Sequence, residues 1–137
     1  MTRREAREQA FCLVFEMDFQ TASMDEIVEQ ARQCRDLELD EYAEKLAFQV
    51  ASNRQQLDEQ ITSFSTKWKV ERLSRVSRAL LRLAVAEIMQ GDEDVPVSVS
   101  INEAVELAKK YGGDEDAPFV NGVLGAFARS RKESSEE

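Results

Sequence analysis

Three arginines stand within the first seven residues. Arg3 and Arg7 are four apart, so on a helix they share a face that continues into Phe11, with Arg4 beside them. Guanidinium groups hold phosphate through a planar fork of donors and also stack on bases, so the arrangement suits RNA contact. A solvated helix end with Arg4 paired to Glu8 fits the same residues. Spacing alone favours this second reading, because Glu5 and Glu8 nearly cancel the local charge. Further on, Arg75, Arg78 and Arg82 fall on one helix face at spacings of three and four and as a group could hold a phosphate backbone. Arg82 stands among Leu80, Leu81, Leu83 and Ala84, so it is expected partly buried and paired with a carboxylate such as Glu103 or Glu106. Lys67, Lys69, Arg72 and Arg75 are expected to face solvent. Phe119 and Tyr111, each near a predicted helix end, are candidates for stacking on single-stranded bases. Core packing explains such rings equally well and is favoured on spacing alone.

Other chemistry is poorly supplied. Histidine is absent, which removes the commonest general base and the commonest zinc ligand. Cys12 and Cys34 lie far apart and form no CxxC, so two thiols in a reducing compartment are expected. The five glycines make no phosphate-binding loop, and no GxSxG elbow is present. Asp114, Glu115 and Asp116 lack the EF-hand pattern. No catalytic pair, metal or cofactor is therefore expected. The net charge of −9 argues against nucleic acid, but the charge is uneven. Residues 16–46 hold ten acids against three bases, whereas residues 65–83 hold six bases against one acid. A local basic patch on an acidic molecule is the consequence.

The elements that must position these groups read as helices throughout, because apolar residues recur at three and four and never at a sustained two. The 137 residues fit one domain, expected over 1–130, with a disordered polar tail over 131–137. Thr2 with Glu5, Ser23 with Glu26 and Ser100 with Glu103 have capping-box spacing, and Asp40 suits an N-cap. They predict helices over about 2–19, 23–35, from 40 with a break near Asn53, and 101–111. Trp68 marks the turn into a strongly apolar helix over 70–89. Gly112 and Gly113 are expected to end the helix before them in the left-handed conformation. The last helix is expected over 118–129. Asn121 is expected to bond backbone or a neighbouring helix. No apolar run reaches membrane-spanning length and the MTRREARE start has no signal-peptide core, so a cytoplasmic protein is expected. The fold class is all-α, a compact bundle of about seven helices.

Four segments carry a more specific signal. The start RREARE followed by AF and VFE, the stretch WKVERLSRVSRALLRLAVAEI, then PVSVSINEAVELAKKYG and FVNGVL occur in this order across residues 2–127. Together they resemble the NusB family. The resemblance implies seven helices in two packed subbundles. It also implies an antitermination factor without enzymatic activity, which pairs with the ribosomal protein NusE. The pair binds boxA-type single-stranded RNA and joins other Nus factors on RNA polymerase, supporting processive transcription of ribosomal RNA operons. By the same resemblance, Arg3, Arg4 and Arg7 match the arginine-rich RNA-binding start, and Glu71, Arg75 and Phe119 match positions along the RNA track. Phe15 and Ser77 match positions facing NusE. Two departures weaken the cationic track: Glu5 interrupts the arginine run, and Pro118 stands where a basic residue is usual. Feeble RNA binding by the protein alone, with NusE supplying contacts, is the expectation.

Alternatives remain open. One is an adaptor that binds NusE with little RNA affinity. Another is the helical N-terminal part of a ribosomal RNA cytosine methyltransferase, which needs a glycine-rich cofactor domain and a nucleophilic cysteine that these residues do not show. Monomer and homodimer are equally compatible with the sequence.

Overall fold

Capping side chains set where the first helices begin. The computed structural model describes all residues except 1, 20, 21, 35–37, 66–68, 93 and 137, and no side chain at 34 or 132–136. Among the described residues there are seven α-helices and no strand. They are α1 (Arg3–Met17), α2 (Met24–Cys34), α3 (Glu41–Ser52), α4 (Arg54–Phe64), α5 (Arg75–Gln90), α6 (Val97–Tyr111) and α7 (Asp116–Glu136). A 3-10 turn, Val70–Arg72, precedes α5. The Thr2 hydroxyl accepts from the Glu5 amide at 3.1 Å, Ser23 from the Glu26 amide at 3.3 Å, and Asp40 from the Tyr42 amide at 2.8 Å. The break at Asn53 falls where expected, with φ −117° and ψ 20° taking it out of the helix.

Four boundaries differ from expectation. Helix α5 starts after the 3-10 turn, capped by Ser74, whose hydroxyl accepts from the Ser77 amide at 3.0 Å. Helix α6 starts at Val97, with Pro96 at the N-cap, so Ser100 lies inside it and buried rather than at its start. Gly112 ends α6 in an extended conformation, φ −103°, and not a left-handed one; Gly91 after α5 is the described glycine with positive φ, 68°. Helix α7 runs to Glu136, through the stretch for which a polar tail is expected. Lys67 and Trp68 lie outside the described residues.

Helix α1 packs on α3, with α2 beside both. Both helices bring buried alanines at four-residue spacing, Ala6 and Ala10 on one and Ala43 and Ala47 on the other, which lets the backbones approach closely. Helices α4, α6 and α7 gather around α5, which also touches α1 and α3. The result is two subbundles sharing α5. Residues 79–88 of α5 are buried on every side. Two of them, Arg82 and Glu87, are charged, and the elements around α5 must supply their partners. Among the described residues, no helix is long and apolar enough to cross a membrane.

Candidate nucleic-acid interface

The first turn of α1 presents two arginines and hides a third. Arg3 lies with its Cζ 3.9 Å from the centroid of the Tyr42 ring on α3, and its Nη1 is 3.9 Å from Asp92. Its side chain is 45% exposed. Arg4 is 71% exposed and forks onto Glu103 of α6, with Nε 3.1 Å from Oε2 and Nη2 3.0 Å from Oε1. The hydrogen bond and charge of Glu103 hold the Arg4 guanidinium above its ordinary pKa. Arg7 is different: its side chain is only 6% exposed, and Nε donates to both oxygens of buried Glu87 at 2.9–3.0 Å. Glu87 also accepts from the Tyr42 hydroxyl and, at 2.6 Å, from Ser100. Burial, then this carboxylate, push the Tyr42 hydroxyl pKa up. Arg7, expected among the RNA-contacting arginines, is therefore an interior residue that ties α1 to α5. Phe11, on the same face, is buried too.

At the other end of α1 an aromatic stripe replaces charge. Phe11, Phe15 and Phe19 follow at spacings of four, with centroids 5.7 and 4.8 Å apart, and Tyr111 lies 5.0 Å from Phe11. Phe15 is half-buried, and Phe19 is 52% exposed. The Cζ of Arg75 sits 4.1 Å over the Phe19 ring. Behind the stripe, buried Asp18 accepts from Arg78 at 3.1 Å and Arg82 at 3.0 Å, with Arg54 at 3.5 Å. Arg82 also forks onto Asp58 at 2.8 and 3.0 Å. It is buried and paired as expected, but with Asp18 and Asp58; Glu103 is taken by Arg4. Burial works against the Arg82 charge, yet Asp58 and Asp18 hold its pKa above the ordinary value. Arg78 donates to the carbonyls of Val70, Glu71 and Leu73, each at 3.1 Å, and so clamps the 3-10 turn. Of the three arginines expected on one face, only Arg75 is left open to solvent, with Lys69 and Arg72 exposed nearby.

Phe119, packed partly against the core, lines a cleft of about 380 Å³ with Leu73, Ser74, Ser77 and Asp116. Ser77, expected to face a partner, is buried and donates to Asp116 at 2.6 Å, so its hydroxyl is engaged within the chain. Asp116 also accepts from Ser74 and, at 2.7 Å, from the Gly113 amide. Burial would raise the Asp116 pKa, but these bonds lower it overall. Exposed Glu71 lines a separate cleft with Arg54 and Lys69. Asn121, on α7, is exposed and lines a cleft with Asn102, Val105 and Lys109 of α6. The candidate residues thus form two groups, Arg3 with Arg4 and Arg75 with Phe119, at opposite ends of a helix about 20 Å long. Sequence reasoning missed Phe19 and Tyr42. The spacing of Phe11, Phe15 and Phe19 carried a signal for the first; nothing local marked the second. Among the described residues, no group of side chains is arranged to hold a metal ion.

The fold and this surface define an all-helical binding protein, with exposed arginines at the start of α1 and an arginine over an exposed ring just past its end. The NusB family model matches residues 4–129. The transcription antitermination protein NusB of Natranaerobius thermophilus is 44% identical over 133 residues, covering 93% of this chain and 95% of that protein. Among solved structures, T. maritima NusB matches with a TM-score of 0.82 and 31% identity, covering 94% of this chain and 92% of that one. A crystal structure of the antitermination factors NusB and NusE in complex with double-stranded RNA matches with a TM-score of 0.80 and 28% identity, covering 93% and 96%. The chain belongs to the NusB family, whose curated relatives are named for transcription antitermination, a role that is not enzymatic.

Proposed function

We propose that this protein is a cytoplasmic antitermination factor that binds boxA-type single-stranded RNA together with NusE. In this reading the pair joins other Nus factors on RNA polymerase and supports processive transcription of ribosomal RNA operons. The observation that carries the RNA half is the exposed Arg3–Arg4 pair, oriented by Tyr42 and Glu103 at the start of α1. The related complex of NusB, NusE and RNA supports both partners. Half-buried Phe15 and exposed Phe19 form the apolar surface we assign to NusE, and a homodimer through the same surface would compete with it. Arg75, Glu71 and Phe119 extend the proposed RNA track.

A single-stranded boxA RNA titrated with and without NusE across a salt series tests this reading. Binding that tightens with NusE and weakens steeply with salt supports it. A duplex of the same sequence, bound equally well, would remove the single-strand part. One observation favours a second reading. Arg4 already pairs with Glu103 and Arg7 is buried, so an acidic molecule keeps few free cations. Binding to NusE with no RNA affinity at low salt would make this protein an adaptor.

A further inference from the structure

We propose that Arg3 contacts RNA by stacking a base on the outer face of its guanidinium, and that Tyr42 is the residue that positions it. The inference rests on the RNA-binding function proposed above. The Arg3 Cζ lies over the Tyr42 ring, 3.9 Å from its centroid. The side chain is nonetheless 45% exposed, which leaves guanidinium surface accessible to a base. The Tyr42 ring is itself held at both ends. Its backbone amide sits in the Asp40 cap of α3, and its hydroxyl donates to buried Glu87, which is fixed in turn by Arg7 and Ser100. A ring anchored in this way sets the plane of the cation above it before any ligand arrives.

The surroundings favour a base over a phosphate. Asp92 lies 3.9 Å from the edge of Arg3, and Glu103 occupies the fork of neighbouring Arg4. These carboxylates repel a phosphate approaching the guanidinium edges. They have little effect on an uncharged base laid against the guanidinium plane, where arginine binds unstacked bases. The ring, the cation and the base would then form a three-layer stack.

The test uses the protein with NusE and a single-stranded boxA-type RNA, intact or with one abasic nucleotide at successive positions. One abasic position is expected to weaken binding of the unaltered protein about fivefold to tenfold. Arg3→Lys keeps the charge and loses the plane. It is expected to weaken binding of intact RNA by a similar factor, to be indifferent to that abasic position, and to leave the salt slope unchanged. Tyr42→Leu should behave like Arg3→Lys, while Tyr42→Phe, which keeps the ring but loses its hydroxyl anchor, should fall between Tyr42→Leu and the unaltered protein. Arg3→Lys binding as tightly as the unaltered protein, with the same abasic profile, would overturn the stack. Tyr42→Phe falling as far as Tyr42→Leu would overturn the positioning role and assign Tyr42 to the Glu87 cluster alone. If the unaltered protein with NusE binds no RNA at all, the proposed function itself fails, an outcome distinct from either of these.

Discussion

Arg4 and Arg7 are three residues apart on one helix and carry the same charge, yet they do different work. Arg4 stands in water with a surface partner; Arg7 neutralises a carboxylate inside the protein. Truncating Arg7 leaves Glu87 with two neutral donors, Tyr42 and Ser100, and no cation. Removing one partner of a buried pair costs about 3–5 kcal/mol, because the other charge is left uncompensated. Arg7→Ala should therefore lower the urea midpoint strongly, whereas Arg4→Ala should leave it unchanged. Equal midpoints for the two variants would contradict the burial of Arg7. The interior role of Arg82 was legible in the sequence, since leucines flank it on both sides. That of Arg7 was not: its neighbours are Ala6 and Glu8, and its partner lies 80 positions along the chain. The family resemblance pointed Arg7 outward for the same reason, because a motif records residue types and not which of them find carboxylates.

Between elements, the same contrast separates local signals from distant ones. Ser100 and Glu103 have the spacing of a capping box, but Pro96, with φ −58°, already starts α6 one turn earlier. Ser100 is then free to serve Glu87 and Glu103 to hold Arg4. The glycine pair after α6 has the pattern of a left-handed cap, but the need at Gly112 is for space. A Cβ there would lie 2.6 Å from Asp116 Oδ2 and 2.8 Å from the Ala108 carbonyl. Gly91 does meet the left-handed requirement, with room around it, so Gly91→Ala isolates backbone strain. A loss of about 1–2 kcal/mol is expected, with Gly91→Asn milder, both read from thermal or urea unfolding. The start of α7 is fastened to the start of α5 through Asp116, which accepts from Ser74 and Ser77. Its folded pKa is lowered, so its contribution is complete above the unfolded carboxylate range and is lost as pH falls through the folded value. Asp116→Asn should thus be less stable than the unaltered protein at neutral pH, and the gap should narrow below about pH 4. A gap that stays constant to pH 3 would show that the carboxylate charge contributes nothing to this junction.

The whole molecule joins two subbundles along α5, and α1, packed on α3 in one of them, reaches α6 through Arg4 and Glu103; that geometry constrains any RNA that uses both ends of α1. The Arg3–Arg4 group and the Arg75–Phe119 group are separated by the length of α1, about 20 Å. Between them lie the rings of Phe11 and Phe15, one buried and one half-buried, and Lys110, whose ammonium is paired with Glu8. An RNA long enough to span the separation should lose affinity on Arg3→Lys and also on Phe119→Ala. The two effects should add, since sites this far apart share no partner. Shortening the RNA from one end should abolish sensitivity to Arg3→Lys while keeping that to Phe119→Ala, and shortening from the other end should do the reverse. Each phosphate contact given up in this way should also reduce the salt slope by about 0.7. Sensitivity to both variants that disappears together, whichever end is shortened, would mean that the two groups serve a single compact site, which the length of α1 does not allow.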